Sequence, residues 1–425
     1  MFLKDFYCSR CGSRYPAETA ARRCPHCSGL LLADYDFERI KTFLTKDDLR
    51  TRTPNIWRYR ELLPINDEAN IISKGGGPSP LLPLKRVGKN LGVQRLFLKD
   101  ESLQPCATFK SRGVAMAVSK ALEMGFLAVA ARAEQMEALA WACYCAAAGL
   151  KSVIYAPLGK ISERNALAIT YTGARLYLHE GREGDEVNAE VLIDINASRY
   201  GWRHVAPCYD PYCLEGEKTM AFEIAESFAW ELPDVIVSTA SSSGALVGIY
   251  RGLRDLQRMG WISTKLPRLV AVQPEAHAPL VRAWRERKTE ILPPAISGSL
   301  AVCHLDERAE VENQIAVILL DGIYKSLGCA VAVNGGEVAQ AKATLAADEG
   351  ILASDDGAAA LAAVTSLTRE GWIRPGEQVV MLNPEGGMEV FETEEYQPAD
   401  TEKAPGSLTK FLLSREADIL PDVLN

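Results

Sequence analysis

From residue 95 onward the chain alternates short apolar runs with longer segments of helical period, and this alternation constrains the fold more than any other feature. Residues 95–99 (RLFLK) read as a strand. From Thr108 the pattern turns helical, with Val114, Ala117, Val118, Ala121 and Leu122 recurring at three- and four-residue intervals until Gly125. Residues 127–131 are strand-like, 136–148 form an alanine-rich helix ended by Gly149, 152–155 a strand, and 166–172 a helix closed by Gly173. Further along, 235–238, 269–272 and 378–382 read as strands, and 245–256, 338–347 and 357–367 as helices. Strands separated by helices of this length form βαβ units and mainly parallel sheets, so the expected class is α/β. A chain of 425 residues is long enough for two or three such units.

Composition narrows the setting. Hydrophobic residues make up 48% and charged residues 24%, ordinary for a globular chain. No apolar run approaches the roughly 20 residues that a membrane-spanning helix needs. The opening MFLKDFYCSRCG carries charge and two cysteines where a secretory leader would need an unbroken apolar run. A formal net charge of -8 argues against a nucleic-acid partner, because phosphate binding needs clustered Lys and Arg. The expectation is a cytoplasmic protein with neither a membrane nor a nucleic acid as partner. An odd total of 11 cysteines without a disulfide framework fits a reducing compartment, with Cys143, Cys145, Cys208, Cys213, Cys303 and Cys329 expected as core residues.

The remaining cysteines are organised. Cys8-Ser-Arg-Cys11 and Cys24-Pro-His-Cys27 are two Cys-x-x-Cys turns 12 residues apart, each followed closely by a glycine (Gly12, Gly29). Two such turns aim four thiolates at one ion and leave no open position, which predicts a structural Zn2+ ribbon over residues 1–30. So short a unit needs the metal for its folding free energy. His26 lies inside a turn and is expected to face solvent. His179, His204, His277 and His304 have no metal spacing and no nucleophile beside them.

The loop after the strand at 95–99 runs DESLQPCATFKSRG, and places Lys110 within the first turn of the next helix. The positive end of a helix dipole disfavours an ammonium there, which encourages the amine to lose its proton. A reactive amine and an ordinary surface lysine are both consistent with the spacing.

The stretches GGGPSPLL (75–82), LFLKDES…TFKSRG and Glu215-Gly216-Glu217-Lys218-Thr219 followed by AFEIAE, with the ribbon and the order of elements, resemble the threonine synthase branch of the fold-type-II pyridoxal-phosphate enzymes. The likeness spans about residues 1 to 390. It implies two α/β lobes around a cofactor cleft. The larger lobe would comprise 31–110 and 190–392, a smaller mobile lobe 111–189, and an acidic arm 393–425. It also implies a homodimer, a small amino-acid-type substrate, and Lys110 as the residue that carries pyridoxal 5'-phosphate and shuttles protons. Phe109 would lie against the cofactor ring.

The cofactor's needs can be matched to residues. Its phosphate belongs in a loop before a helix start, where backbone N–H groups converge. Ser241, Ser242, Ser243, Gly244 and Ala245 occupy that place, with serines where the family has glycines. The family's Ser-Ser/Thr-Gly-Asn run, which receives the substrate carboxylate and the ring hydroxyl, is replaced by Ala133, Glu134, Gln135 and Met136. Gln135 could stand in for the asparagine, and Arg132 could balance Glu134. At the end of the last strand Asn383 takes the place of the residue that meets the ring nitrogen. Arg112 follows the lysine as in the family, to serve a substrate phosphate or a structural ion pair, while Ser111 replaces an aspartate. Two readings follow. One is an enzyme performing elimination or replacement at the β or γ carbon of an amino acid, O-phosphohomoserine to threonine included. The other is a non-catalytic relative kept as a binding or scaffolding protein.

Overall fold

A computed structural model of the chain describes residues 2–19, 21–179, 185–205, 210–240, 244–291 and 307–388. In chain order it begins with β1 (Leu3–Cys8), β2 (Arg14–Pro16) and β3 (Leu31–Tyr35). There follow α1 (Phe37–Lys41), α2 (Lys46–Thr51), β4 (Leu81–Pro83), α3 (Lys85–Leu91), β5 (Arg95–Asp100) and α4 (Lys110–Glu123). The next group is β6 (Ala128–Arg132), α5 (Gln135–Ala147), β7 (Lys151–Pro157), α6 (Glu163–Tyr171), β8 (Arg175–His179), α7 (Asp185–Tyr200) and β9 (Arg203–Val205). The chain continues through α8 (Pro211–Glu217), α9 (Thr219–Ser227), β10 (Val235–Thr239), α10 (Gly244–Met259), β11 (Arg268–Pro274) and α11 (Pro279–Arg285). It closes with α12 (Glu307–Lys325), β12 (Cys329–Val333), α13 (Gly335–Thr344), α14 (Asp355–Arg369) and β13 (Gln378–Asn383).

Among the described residues three sheets form, ordered β2-β1-β3, β12-β11-β10-β13-β5-β4 and β8-β7-β6-β9. The first is antiparallel. The six-stranded sheet is parallel apart from β4, and the four-stranded sheet is wholly parallel. The α/β expectation therefore holds, and β10, β11 and β13 carry the unbroken apolar runs of strands covered on both faces. The four-stranded sheet takes in Arg203–Val205, beyond the 111–189 span expected for the smaller lobe. That short strand has no alternation to announce it, so pairing rather than local pattern sets the boundary. The arm at 393–425 lies outside the described residues. Among the described residues no helix is long and apolar enough to cross a membrane.

The ribbon does not stand alone. Phe6, Leu30, Leu31 and Tyr35 join a core shared with the body, and Phe6 meets the Tyr212 ring edge-on at 5.3 Å. Leu30 N donates to Gln314 of α12 at 2.8 Å, and Arg22 Nη2 lies 2.5 Å from Asp194 of α7. That carboxylate is also 2.5 Å from His204 Nδ1 of β9, so His204 serves a docking contact. The ribbon thus touches the helices α12 and α7 and, through Arg22, the strand β9 of the four-stranded sheet.

Close backbone packing joins α4, α8 and α10. Gly216 of α8 lies directly against the Arg112 carbonyl of α4, where a β-carbon would collide. Along α10, Gly244, Gly248 and Gly252 recur every fourth residue, and all three abut the segment Glu217–Lys218. A one-sided glycine stripe of this kind lets a helix approach a neighbouring backbone more closely than any side chain permits.

Candidate functional site

Strands β5 and β13 are neighbours, with Asp100 opposite Asn383 at their carboxyl ends. In a parallel α/β sheet the crevice outside those ends is where ligands are held. Lys110 is carried there by a loop that leaves β5 and turns through two consecutive left-handed residues, Cys106 (φ 56°) and Ala107 (φ 51°). That loop is stitched to the one following β13. Phe109 N donates to Pro384 O at 2.9 Å, Gly386 N donates to Ala107 O at 2.9 Å, and Thr108 bridges Glu385. Lys110 then opens α4, and its Nζ lies 2.5 Å from Glu137 Oε2 of α5. Its side chain is 25% exposed, so the amine is reachable from solvent.

Two residues further on, Arg112 is fully enclosed. Its Nε donates to Glu101 Oε2 at 2.7 Å, Nη1 to Glu223 Oε1 at 2.5 Å and Thr219 Oγ1 at 3.0 Å, and Nη2 to Glu101 Oε1 at 3.0 Å and Glu223 Oε2 at 2.8 Å. Lys99 Nζ completes the group, 2.6 Å from Glu223 Oε2. Two cations and two carboxylates balance in the interior. Burial alone would raise the Glu223 carboxyl, but Arg112 and then Lys99 hold it down at about 2. Of the two roles left open for Arg112, the structure supplies the structural ion pair. Every guanidinium nitrogen is engaged, which leaves none for a substrate phosphate.

Glu217 ends α8 and lies in the gap between α4, α5 and α10. It is buried, its Oε2 has no hydrogen-bond partner, and a β-carbon on Gly244 would strike its carboxylate. Burial pushes its carboxyl up to about 8, with Lys110 pulling it down and Glu137 pushing it further up. A group at about 8 is mostly the neutral acid at pH 7. Lys110 therefore sits between one paired carboxylate, Glu137, and one buried, proton-bearing carboxyl group.

The other sequence-derived residues fall in varied settings. Gly244 and Ala245 are buried in the first turn of α10, while Ser241, Ser242 and Ser243 lie outside the described residues. Phe109 is buried in the main core beside Lys110. Gln135 opens α5 with φ 45°, and its Oε1 accepts from Asn165 Nδ2 at 3.1 Å, which ties α5 to α6. Glu134 precedes it, half-buried and capping no backbone N–H, and Arg132 is buried at the end of β6. Asn383 does not face an open cleft. It is wholly buried, its Nδ2 donates to Asp100 Oδ1 at 2.9 Å, and its Oδ1 accepts from Ser354 N and Oγ, each at 3.1 Å. With both ends of its amide engaged, Asn383 clamps β13 to β5 and to the start of α14. In this arrangement the Asn383 amide meets Asp100 and Ser354, where a contact with the ring nitrogen was expected.

Sequence reasoning passed over Glu137 and Glu217. Glu137 had no signal beyond its place in the first turn of α5. Glu217 stood inside the quoted Glu-Gly-Glu-Lys-Thr run, but only the fold shows that Glu215 and Lys218 pair with each other while Glu217 turns the other way. Among the remaining cysteines, Cys145, Cys213 and Cys329 are buried as expected. Cys143 is half-buried instead. A hydrogen bond with Cys106 lowers its thiol to about 6.

The ribbon's sulfurs converge as the spacing required. The ligand atoms of Cys8, Cys11, Cys24 and Cys27 all lie within 4.8 Å of one another, with Cys8–Cys27 at 3.4 Å and Cys11–Cys24 at 3.6 Å. Four thiolates about 2.3 Å from a central ion would stand roughly 3.8 Å apart, so the set suits a tetrahedral metal. His26 is exposed, outside the cluster.

The residues around Lys110 also suit pyridoxal phosphate. A reachable amine faces the cleft, and the 16-residue helix α10 opens at Gly244, a start with no room for a β-carbon and a place where an anion is favoured. Comparison with known proteins agrees. A family described as "Pyridoxal-phosphate dependent enzyme" matches residues 72–385. The threonine synthase of Methanocaldococcus jannaschii is 30% identical over 382 residues, covering 90% of this chain and 92% of that protein. The threonine synthase of Methanosarcina acetivorans is 31% identical over 376 residues, covering 88% and 89%. Among solved structures, O-ureido-L-serine synthase superposes with a TM-score of 0.58 at 22% identity, covering 82% of this chain and 99% of that one. The diaminopropionate ammonia lyase of Escherichia coli gives 0.60 at 19%, covering 76% and 88%. The chain belongs to the pyridoxal-phosphate-dependent enzyme family, in its threonine-synthase-like, fold-type-II branch.

Proposed function

We propose that the chain is a pyridoxal-phosphate-dependent lyase that eliminates or replaces a group at the β or γ carbon of an amino-acid-type substrate. The observation that carries this reading is the placement of Lys110, reachable, stitched to the loop after β13 and held at Nζ by Glu137. When bound, the cofactor supplies an electron sink for carbanion chemistry next to the substrate nitrogen. The chain's own residues do the rest. Lys110 would hold the cofactor and move protons at its Nζ. Glu137 fixes that amine in place. The first turn of α10, with Gly244 and Ala245 and the preceding serines Ser241, Ser242 and Ser243, would seat the phosphate, and Phe109 would wall the ring. Arg132, Glu134 and Gln135 edge the substrate side.

The likeness to threonine synthases favours O-phosphohomoserine, but the closed network around Arg112 and the two carboxyl groups beside Lys110 favour a substrate with less negative charge. Zn2+ on Cys8, Cys11, Cys24 and Cys27 would be structural, since four thiolates leave no open position. We place the enzyme in the cytoplasm as a homodimer.

The test is a release assay on the cofactor-loaded protein with O-phosphohomoserine, O-acetylserine, homoserine esters and threonine, scoring phosphate, acetate and keto acid. Turnover of any one supports the lyase reading, and its identity separates β from γ chemistry. A loaded protein that turns over none of them would favour the non-catalytic relative.

A further inference from the structure

We propose that Cys106 and Cys143 form a redox-active dithiol, a modification site for low-molecular-weight disulfides, and that its closure into a Cys106–Cys143 disulfide staples the Lys110 loop to α5. The dithiol is independent of the cofactor reading above, while its effect on pyridoxal phosphate uptake rests on that reading.

Exposure singles out two cysteines. Outside the ribbon, Cys145, Cys213 and Cys329 are buried, and among the described residues only Cys106 and Cys143 are partly exposed. These two are also the pair that meet. Their thiols share a hydrogen bond, and the turn Pro105–Ala107 packs on α5, the helix that carries Cys143. The residues beside them flank one point: a β-carbon on Gly76 would lie 3.5 Å from both Pro105 Cδ and Tyr144 Oη.

The turn is anchored on either side of Cys106. Gly77 N donates to Gln104 Oε1 at 2.8 Å, Ala107 N to Gln104 O at 2.8 Å, and Gly386 N to Ala107 O at 2.9 Å. Between these anchors Cys106 stands at φ 56°, where glycine or asparagine is easier than cysteine. The fold therefore keeps a thiol at a position that other residues suit better, and holds it against a second thiol. The hydrogen bond from Cys106, opposed by burial and aided by the Lys74 ammonium, holds the Cys143 thiol at about 6 and leaves the proton on Cys106. A thiolate beside a cation in a partly exposed setting is the attacking form. In a reducing compartment a disulfide of this kind is transient and responds to the redox state.

The exchange balances with a small disulfide as oxidant. The Cys143 thiolate attacks one sulfur of glutathione disulfide, breaks its S–S bond and releases one glutathione. Cys106 gives up its proton, attacks the Cys143 sulfur and releases the second. Two protein thiols lose two electrons and two protons, and one glutathione disulfide becomes two thiols.

The bond would span the amine's own ion pair. Cys106 precedes Lys110 in one loop, Cys143 follows Glu137 in one helix, and Lys110 Nζ lies 2.5 Å from Glu137 Oε2. An amine held in an ion pair is no nucleophile until the pair opens. A covalent link between loop and helix holds that pair shut.

The experiment treats the full-length protein, freed of pyridoxal phosphate and kept in Zn2+ to occupy the ribbon, with glutathione disulfide. Wild type, Cys106→Ser and Cys143→Ser are desalted, and non-reduced peptides are mapped by mass spectrometry. The rate at which added pyridoxal phosphate develops its visible band is then measured, before and after reduction with dithiothreitol and its removal. The expected map is a Cys106–Cys143 disulfide in the wild type, glutathione trapped on Cys143 in Cys106→Ser, and none on Cys106 in Cys143→Ser. Uptake should slow about tenfold or more in the oxidised wild type, because the open form becomes a minor state. It should recover on reduction and stay unchanged by glutathione disulfide in Cys143→Ser. A wild type whose two thiols stay free, or pair with other cysteines, overturns the dithiol. The expected disulfide with unchanged uptake, or equal slowing in Cys143→Ser, overturns its control of Lys110. Absence of uptake by the reduced wild type overturns the cofactor reading and leaves a mapped disulfide standing.

Discussion

Gly216 lies against the carbonyl oxygen of Arg112 so closely that a β-carbon would collide with it. The contact locks the turn carrying Glu217 onto the helix that Lys110 opens. Two stretches far apart in the chain, Lys-Ser-Arg-Gly at 110–113 and Glu-Gly-Glu-Lys-Thr at 215–219, are therefore one structural unit. Gly216→Ala must push α8 away from α4. Overpacking of this kind costs about 1–3 kcal/mol, read as a lower denaturant midpoint. Because the displaced turn also packs against Gly244 and Gly248 at the start of α10, pyridoxal phosphate should also bind more weakly. A glycine that merely tolerated exchange would move neither measurement.

Removing Arg112 should cripple folding rather than substrate affinity. Arg112→Ala leaves the buried carboxylates of Glu101 and Glu223 to share Lys99, and breaking a buried ion pair costs about 3–5 kcal/mol. The wild-type network carries a pH signature as well. Glu223 ionises at about 2 in the folded protein against 4.5 for the ordinary side chain. The stability it contributes is complete above pH 4.5 and is lost as pH falls from there toward 2. Urea titrations across that range on the wild type, and at pH 7 on the variant, measure both effects. A variant with native stability but raised KM would return Arg112 to a substrate role.

Glu217 acts with the opposite sign. Its folded carboxyl titrates at about 8, so between pH 4.5 and 8 the unfolded chain releases a proton that the folded chain keeps. Stability falls through that window and levels off above it. The loss is on the order of 3–5 kcal/mol if the group is as dry as its burial indicates. Glu217→Gln removes the window. The variant should match the wild type near pH 4.5 and exceed it at pH 9 in denaturant midpoint. Equal midpoints at pH 9 would show that the carboxyl group is solvated.

Much of this was legible in the sequence, and the limit is physical. The parallel strands, the ribbon cysteines and the lysine loop were readable because each has a local signature: apolar runs, Cys-x-x-Cys spacing, and a lysine at a helix start. Asn383 and Arg112 were visible as residues, but not in their roles. What Asn383 bonds to depends on Asp100 and Ser354, and what Arg112 bonds to depends on Glu101 and Glu223. Those partners meet only when β5, β13, α9 and α14 converge. Glu217 was hidden for the same reason, since its burial comes from a glycine stripe on a different helix. Strand β9 escaped notice because three residues carry no period.

The ribbon should bind about one zinc ion per chain, measured by elemental analysis of the purified protein. Cys24→Ser should lose it and, because Leu30 and Arg22 tie the ribbon to α12 and α7, should also lower the melting temperature of the whole chain. A metal-free protein of unchanged stability would remove the structural metal from the account.

The central claim is that Lys110 carries the cofactor. The most direct test adds excess pyridoxal phosphate to the purified protein, reduces with borohydride and maps the modified peptide by mass spectrometry. The expected result is a visible absorbance band before reduction, one modified residue after it, at Lys110, and neither in Lys110→Ala. A protein that stays colourless, or whose label is found on another lysine while Lys110 is untouched, would contradict the account.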